Sequence, residues 1–163
     1  MEVPKPSVNE LDKFEAAIVA FVRIAKKPSY WEEFSKRANT NIDRPAAAIL
    51  DALSHNHCQF QDLVKRLGVE APFISRKVHE LEDEGLITRR PTQDRRVHEL
   101  HLSAPGEDMA SRIKQAKRSI LSEVLSGWSN EELGRLTNLL ERFAIDMSNR
   151  LENKEITAKT GSK

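Results

Sequence analysis

A chain of 163 residues suits one compact domain, or one domain with an added helical arm. Its 26 Lys and Arg against 25 Asp and Glu leave a formal net charge of +1, which excludes binding to nucleic acid through bulk basicity; any anion site must be local. Charged residues at 31% and apolar residues at 39%, with six Gly and seven Pro, exclude collagen-like, low-complexity and wholly disordered chains.

Residues 1–8, with two prolines, read as a loose arm. From Asn9, the residues Leu11, Phe14, Ile18, Phe21 (with Val22) and Ala25 recur at helical spacing and predict an amphipathic helix that Pro28 ends. Tyr30 to Asn39 reads as a short polar helix anchored by Trp31 and Phe34. Asp43-Arg44-Pro45 is an N-cap with Pro in the first turn, and Ala46, Ile49, Leu50 and Leu53 form the buried face that follows. Phe60 to Leu67 predicts a two-turn helix stopped by Gly68, and a further helix runs from Pro72 to Gly85 with Ile74, Val78 and Leu81 inward. Leu86 to Arg90 and the alternating Val97 to Leu102, joined by a turn at Pro91 to Asp94, predict a β-hairpin. Ser103-Ala104-Pro105-Gly106 opens a helix carrying Met109, Ile113, Ala116, Ile120 and Val124. Ser129 and Glu132 make a capping box for a last helix with Leu133, Leu136, Leu140, Phe143, Met147 and Leu151. The Lys/Thr/Ser-rich residues 153–163 are expected to be disordered.

The predicted fold is mainly α with a small β-hairpin. It comprises a winged helix-turn-helix domain over residues 44–103, a helix and linker helix over 9–43, and two helices over 104–152. The flanking helices are expected to dimerise, since their seams would otherwise expose several large apolar side chains. In the second helix of the helix-turn-helix, burying Ile74, Val78 and Leu81 turns Pro72, Arg76, His79 and Asp83 outward with Ser75 on the flank. That face is small and basic at its start (Ser75, Arg76, Lys77) and acidic at its end (Glu80, Glu82, Asp83, Glu84). A helix docked by its N-terminus on a phosphate backbone has this polarity; an ordinary solvated face is the alternative. The hairpin shifts the balance toward the first. Arg89, Arg90, Arg95 and Arg96 fall within eight residues, and Asp94 alone cannot neutralise them, although it can orient one guanidinium.

At Leu63-Val64-Lys65-Arg66-Leu67-Gly68-Val69, Pro72-Phe73-Ile74-Ser75-Arg76-Lys77-Val78, Leu81-Glu82-Asp83-Glu84-Gly85-Leu86-Ile87 and Asp94-Arg95-Arg96 the sequence resembles the MarR family of transcriptional regulators. The resemblance runs from about Arg44 to Gly106. It implies an obligate homodimer on a pseudo-palindromic double-stranded DNA operator, released by a small aromatic or phenolic effector. It also implies that Ser75 and Arg76 meet the major groove and that Arg96, oriented by Asp94, enters the minor groove. Glu70 departs from the pattern, being a poorer cap than Asp or Ser.

The remaining chemical residues point away from catalysis. There is no P-loop, dinucleotide-binding turn, HExxH or nucleophile elbow, so no enzyme is expected; with the family resemblance, the chain is read as a DNA-binding repressor. The single Cys58 reads as a buried hydrophobe in a reducing, cytoplasmic compartment, with no signal peptide or membrane span. The five histidines show no metal-ligand spacing: His55 and His57 flank a turn, and His98 and His101 point to opposite faces of a strand, so no metal and no cofactor is expected. An effector pocket is expected among Phe14, Ile18, Phe21, Ile49, Leu53, Met109 and Ile113, with Arg23 or Arg112 for an anionic group; a filled core is the other reading. The rival function is a winged-helix protein-interaction module without sequence-specific DNA binding. Arg96→Ala is expected to weaken operator binding by about 1–3 kcal/mol while leaving dimerisation intact. Unchanged affinity at fixed salt in a mobility-shift titration would remove Arg96 from the interface.

Overall fold

The computed structural model describes residues 5–92 and 98–160, with side-chain surroundings as far as Leu151. In chain order its elements are α1 (Val8–Ala25), α2 (Pro28–Ala38), α3 (Arg44–His55), β1 (Cys58–Gln59), α4 (Phe60–Leu67), α5 (Ala71–Asp83), β2 (Ile87–Pro91), β3 (His98–Leu102), α6 (Ala104–Val124) and α7 (Asn130–Thr160). The chain divides into two compact units, residues 1–120 and 121–163. No helix among the described residues is long and apolar enough to cross a membrane.

Within residues 1–120 the core gathers Ile49, Leu50 and Leu53 of α3, Leu63 of α4, and Ile74, Val78 and Leu81 of α5, with Leu100 of β3 and Ile113 of α6. Those on helices are the inward positions that the helical periodicity selects. The helix ends follow local chemistry. Asp43 caps α3, its carboxylate accepting from the Ala46 N–H at 2.9 Å, and Pro45 fills a first-turn position that needs no donor. Ser7 and Glu10 form a capping box on α1 that the sequence reading missed, which starts the helix at Val8. Gly68 turns the chain between α4 and α5 at φ +61°, a conformation in which a side chain is strained.

The predicted hairpin is part of a three-stranded antiparallel sheet of order β1-β3-β2. Cys58 pairs with Leu100 and Gln59 with Glu99, while Ile87 to Pro91 pair with Leu102 to His98. A two-residue strand is too short to display alternation, so β1 leaves no periodic signal.

The root of the wing is held by a close backbone approach. The Ser103 N–H donates to the Leu86 carbonyl at 3.0 Å, and the Ser103 hydroxyl donates to the Gly85 carbonyl at 2.5 Å. The same hydroxyl accepts from the Gly106 N–H at 3.1 Å, capping α6. A Cβ on Gly106 would lie 2.0 Å from the Leu86 carbonyl oxygen, so only glycine fits there.

In the second unit, Ser129 and Glu132 form the expected capping box on α7: Glu132 accepts from the Ser129 N–H at 2.8 Å, and the Ser129 hydroxyl accepts from the Glu132 N–H at 3.2 Å. The helix then continues to Thr160, past the expected disordered start at residue 153. The sequence has neither Gly nor Pro between Gly134 and Gly161, so nothing local interrupts it. Gly106→Ala is expected to destabilise the protein by about 1–3 kcal/mol through overpacking. Gly134→Ala, with nothing within 4 Å of its added Cβ, should stabilise α7 by up to about 1 kcal/mol. Chemical denaturation midpoints of the two variants are expected to move in opposite directions.

Candidate nucleic-acid interface

Helix α5 presents two faces. Ile74, Val78 and Leu81 are buried, and Pro72, Ser75, Arg76 and His79 are exposed. Glu70 stands at the N-cap and makes no side-chain capping bond; Pro72 has no N–H, and the Phe73 and Ile74 N–H groups donate to the Glu70 carbonyl at 3.1 and 3.2 Å. The Arg76 guanidinium lies 5.5 Å from the Phe73 ring centroid, and its only carboxylate among the described residues, Glu80, is 4.0 Å away. His79 has Asp83 at 3.8 Å and is otherwise open to solvent. Arg76 is thus held only loosely at its guanidinium, and its side chain remains 67% exposed.

Two of the cations expected on this surface are instead committed to the frame. Lys77 is mostly buried and bridges the Asp43 cap of α3 and Glu80 of α5, each at 2.6 Å. Those two hydrogen bonds hold its ammonium above the ordinary lysine value, with the Asp43 bond first. Arg89 grips Glu82 of α5 with two parallel bonds, Nε to Oε1 at 2.6 Å and Nη2 to Oε2 at 3.2 Å. This fork ties β2 to the helix beside it. Arg90, on the opposite face of β2, remains exposed. Asp94, Arg95 and Arg96 lie outside the described residues.

The residues expected to line an effector pocket stand in different settings within the single chain. Ile49, Leu53 and Ile113 are packed in the core, whereas Phe14 and Phe21 are 45% and 69% exposed on α1. Met109 lines a separate cleft of about 310 Å³ with Asn39, Ile42 and Glu84. Arg112, expected to hold an anion, bonds the carbonyls of Ala38 (3.2 Å) and Asn39 (2.6 Å) and pairs with Asp108 at 3.0 Å. It caps the C-terminus of α2, and Arg23 sits exposed on α1. Side-chain periodicity alone could not separate these roles, because buried and exposed apolar positions share one pattern.

A concavity of about 540 Å³ instead opens between the end of α3, the sheet and the start of α6, with His55, His57, Arg90, His101, Glu107 and Lys114 among its walls. Here His57 and His101 stack at 4.4 Å, a pairing not expected from their sequence positions. Burial pushes the Cys58 thiol above its ordinary value, which disfavours the reactive thiolate.

Lys77→Met is expected to lower stability without changing the salt dependence of DNA binding, whereas Arg76→Ala should reduce that salt slope by about one unit. Because folding raises the Lys77 value, its contribution is complete below the ordinary 10.5 and is lost as pH rises through the folded value. Melting curves across that alkaline range should fall more steeply for the parent protein than for Lys77→Met.

Residues 40–96 match the model of the MarR family, a segment that holds α3 to β2 and so the Asp43–Lys77 and Arg89–Glu82 pairs. Among solved structures, a MarR family transcription regulator is 25% identical with a TM-score of 0.70, the match covering 86% of this chain and 96% of that one. The transcriptional regulator BldR from Sulfolobus solfataricus is also 25% identical, with a TM-score of 0.64 and coverage of 85% and 99%. NadR in complex with 4-hydroxyphenylacetate is 21% identical, with a TM-score of 0.60 and coverage of 88% and 97%. Over residues 40–96 the protein is similar to the MarR family, and its fold as a whole is similar to that of solved transcription regulators.

Proposed function

We propose that the protein is a sequence-specific transcriptional repressor that binds a pseudo-palindromic duplex as a homodimer. The observation that carries this reading is the split of cations on the winged helix. Lys77 and Arg89 are tied into the frame, while Arg76 at the start of α5 and Arg90 on the wing face solvent. A frame that holds a helix and a wing at fixed relative angle, with solvent-exposed guanidinium groups on both, suits one major groove and its flanking backbone. Ser75 adds a small hydroxyl donor and acceptor beside Arg76, at the end of α5 that meets the bases.

Dimerisation is supported by apolar surface that one chain leaves open. On α1, Leu11 and Phe21 are exposed, and on α7 so are Leu136, Leu140, Met147 and Leu151. Seams of this size on regular helices fit a partner helix. A two-fold pair would set two α5 helices about 34 Å apart, one turn of duplex.

Release by a small aromatic acid is the second part of the proposal. Its support is that the similarly folded NadR has been solved with 4-hydroxyphenylacetate. Such a ligand acts by favouring a dimer whose two α5 helices are wrongly spaced for DNA.

Mobility shift on a palindromic duplex tests the reading. Binding should weaken steeply between about 50 and about 200 mM salt and be lost on a shuffled duplex of equal length. Equal binding to both duplexes would contradict sequence specificity, and no binding to either would favour an acidic protein partner for the wing. Leu140→Asp, at a position 47% exposed, should leave the single chain folded yet convert a micromolar dimer to monomer in sedimentation. A dimer that survives this change places the interface elsewhere.

A further inference from the structure

We propose that His57, Glu99 and His101 form a binding site for a divalent transition metal, with zinc as the best-fitting ion. The site arises from strand register. Cys58 pairs with Leu100 in an antiparallel ladder, so the residue before Cys58 and the residue after Leu100 come face to face. His57 and His101 therefore stack, with ring centroids 4.4 Å apart and planes 15° apart. Glu99 projects on the same side of β3, two residues from His101.

The three donor atoms already stand near metal spacing. The Nε2 of His57 is 3.5 Å and the Nε2 of His101 is 3.4 Å from the same Glu99 oxygen, Oε2. All three lie within 4.8 Å of one another. Bonds of about 2.0–2.1 Å in a tetrahedral site separate neighbouring ligand atoms by about 3.3 Å. Both nitrogen–oxygen distances fit, and the two nitrogens need only a small fanning of the rings. His57, whose side chain is 56% exposed, has the freedom to turn.

Imidazole and carboxylate donors without thiolate suit zinc, nickel or copper(II) better than calcium or magnesium, which take all-oxygen sets. Cys58 is buried on the other face of β1 and stays outside the donor set. Three protein ligands leave a fourth position for water, and His57 and His101 border the 540 Å³ concavity. Arg90 sits opposite Glu99 in the β2–β3 register and adds positive charge, which weakens the pull on a cation. The ion would join β1, which leads into α4, to β3, which supports the wing.

The test uses the full-length protein, stripped by chelator and titrated with cobalt(II), then with zinc. One saturable site per chain with a four-coordinate cobalt spectrum displaced by zinc is expected. His101→Gln and Glu99→Gln should each weaken it at least tenfold, while His79→Gln and His98→Gln should not. Absence of a saturable site, or a site that depends on His79 or His98, would overturn the proposal. Histidine nitrogen NMR of the unsubstituted protein removes dependence on how the variants fold. Zinc should shift the His57 and His101 resonances selectively, and shifts confined to other histidines would count against the site.

Discussion

The backbone of α6 passes so close to the turn after α5 that residue 106 has no room for a Cβ, and the geometry of the DNA-facing surface depends on this contact. Ser103 completes it, bonding Gly85 and Leu86 on one side and capping α6 on the other. The end of α5, the root of the wing and the start of α6 are thereby fixed at one point. Two ion pairs extend the frame. Lys77 joins α5 to the cap of α3, and Arg89 joins β2 to α5. A recognition helix and a wing can read a duplex only if their relative angle is set before binding, because flexibility there would be lost at the cost of affinity.

The near-zero net charge takes on meaning within this frame. Opposite charges are segregated by role as well as by position. Acids on α5 are used to hold Lys77 and Arg89, which leaves Arg76 and Arg90 as cations on the same unit that are exposed and accessible to phosphate. A protein built this way binds through a small oriented patch repeated by symmetry, and its bulk charge says little about its partner.

Much of the fold is written locally. Asp43-Arg44-Pro45, Gly68, Gly85 and the Ser129–Glu132 pair each mark a helix boundary by a mechanism that needs no tertiary information. The inward positions Ile74, Val78 and Leu81 follow from period alone. What the sequence could not show depends on neighbours distant along the chain. Lys77 looks like an outward cation until α3 brings Asp43 beside it, 34 positions earlier in the chain. Arg112 looks free until the α2 carbonyls meet it, and His57 looks like a turn residue until β1 pairs with β3. Exposure is hidden for a related reason: Phe14 and Phe21 carry the same apolar signal as Ile49 and Ile113, but the first two are exposed and the last two are core.

The central claim is that a rigid helix-and-wing frame, used twice by a two-fold dimer, reads DNA sequence. Selection of bound duplexes from a randomised pool by the full-length protein tests it most directly. The account predicts enrichment of an inverted repeat whose half-sites are centred about one helical turn, roughly ten base pairs, apart. A pool that remains unenriched, or that yields a single unrepeated half-site, would contradict it.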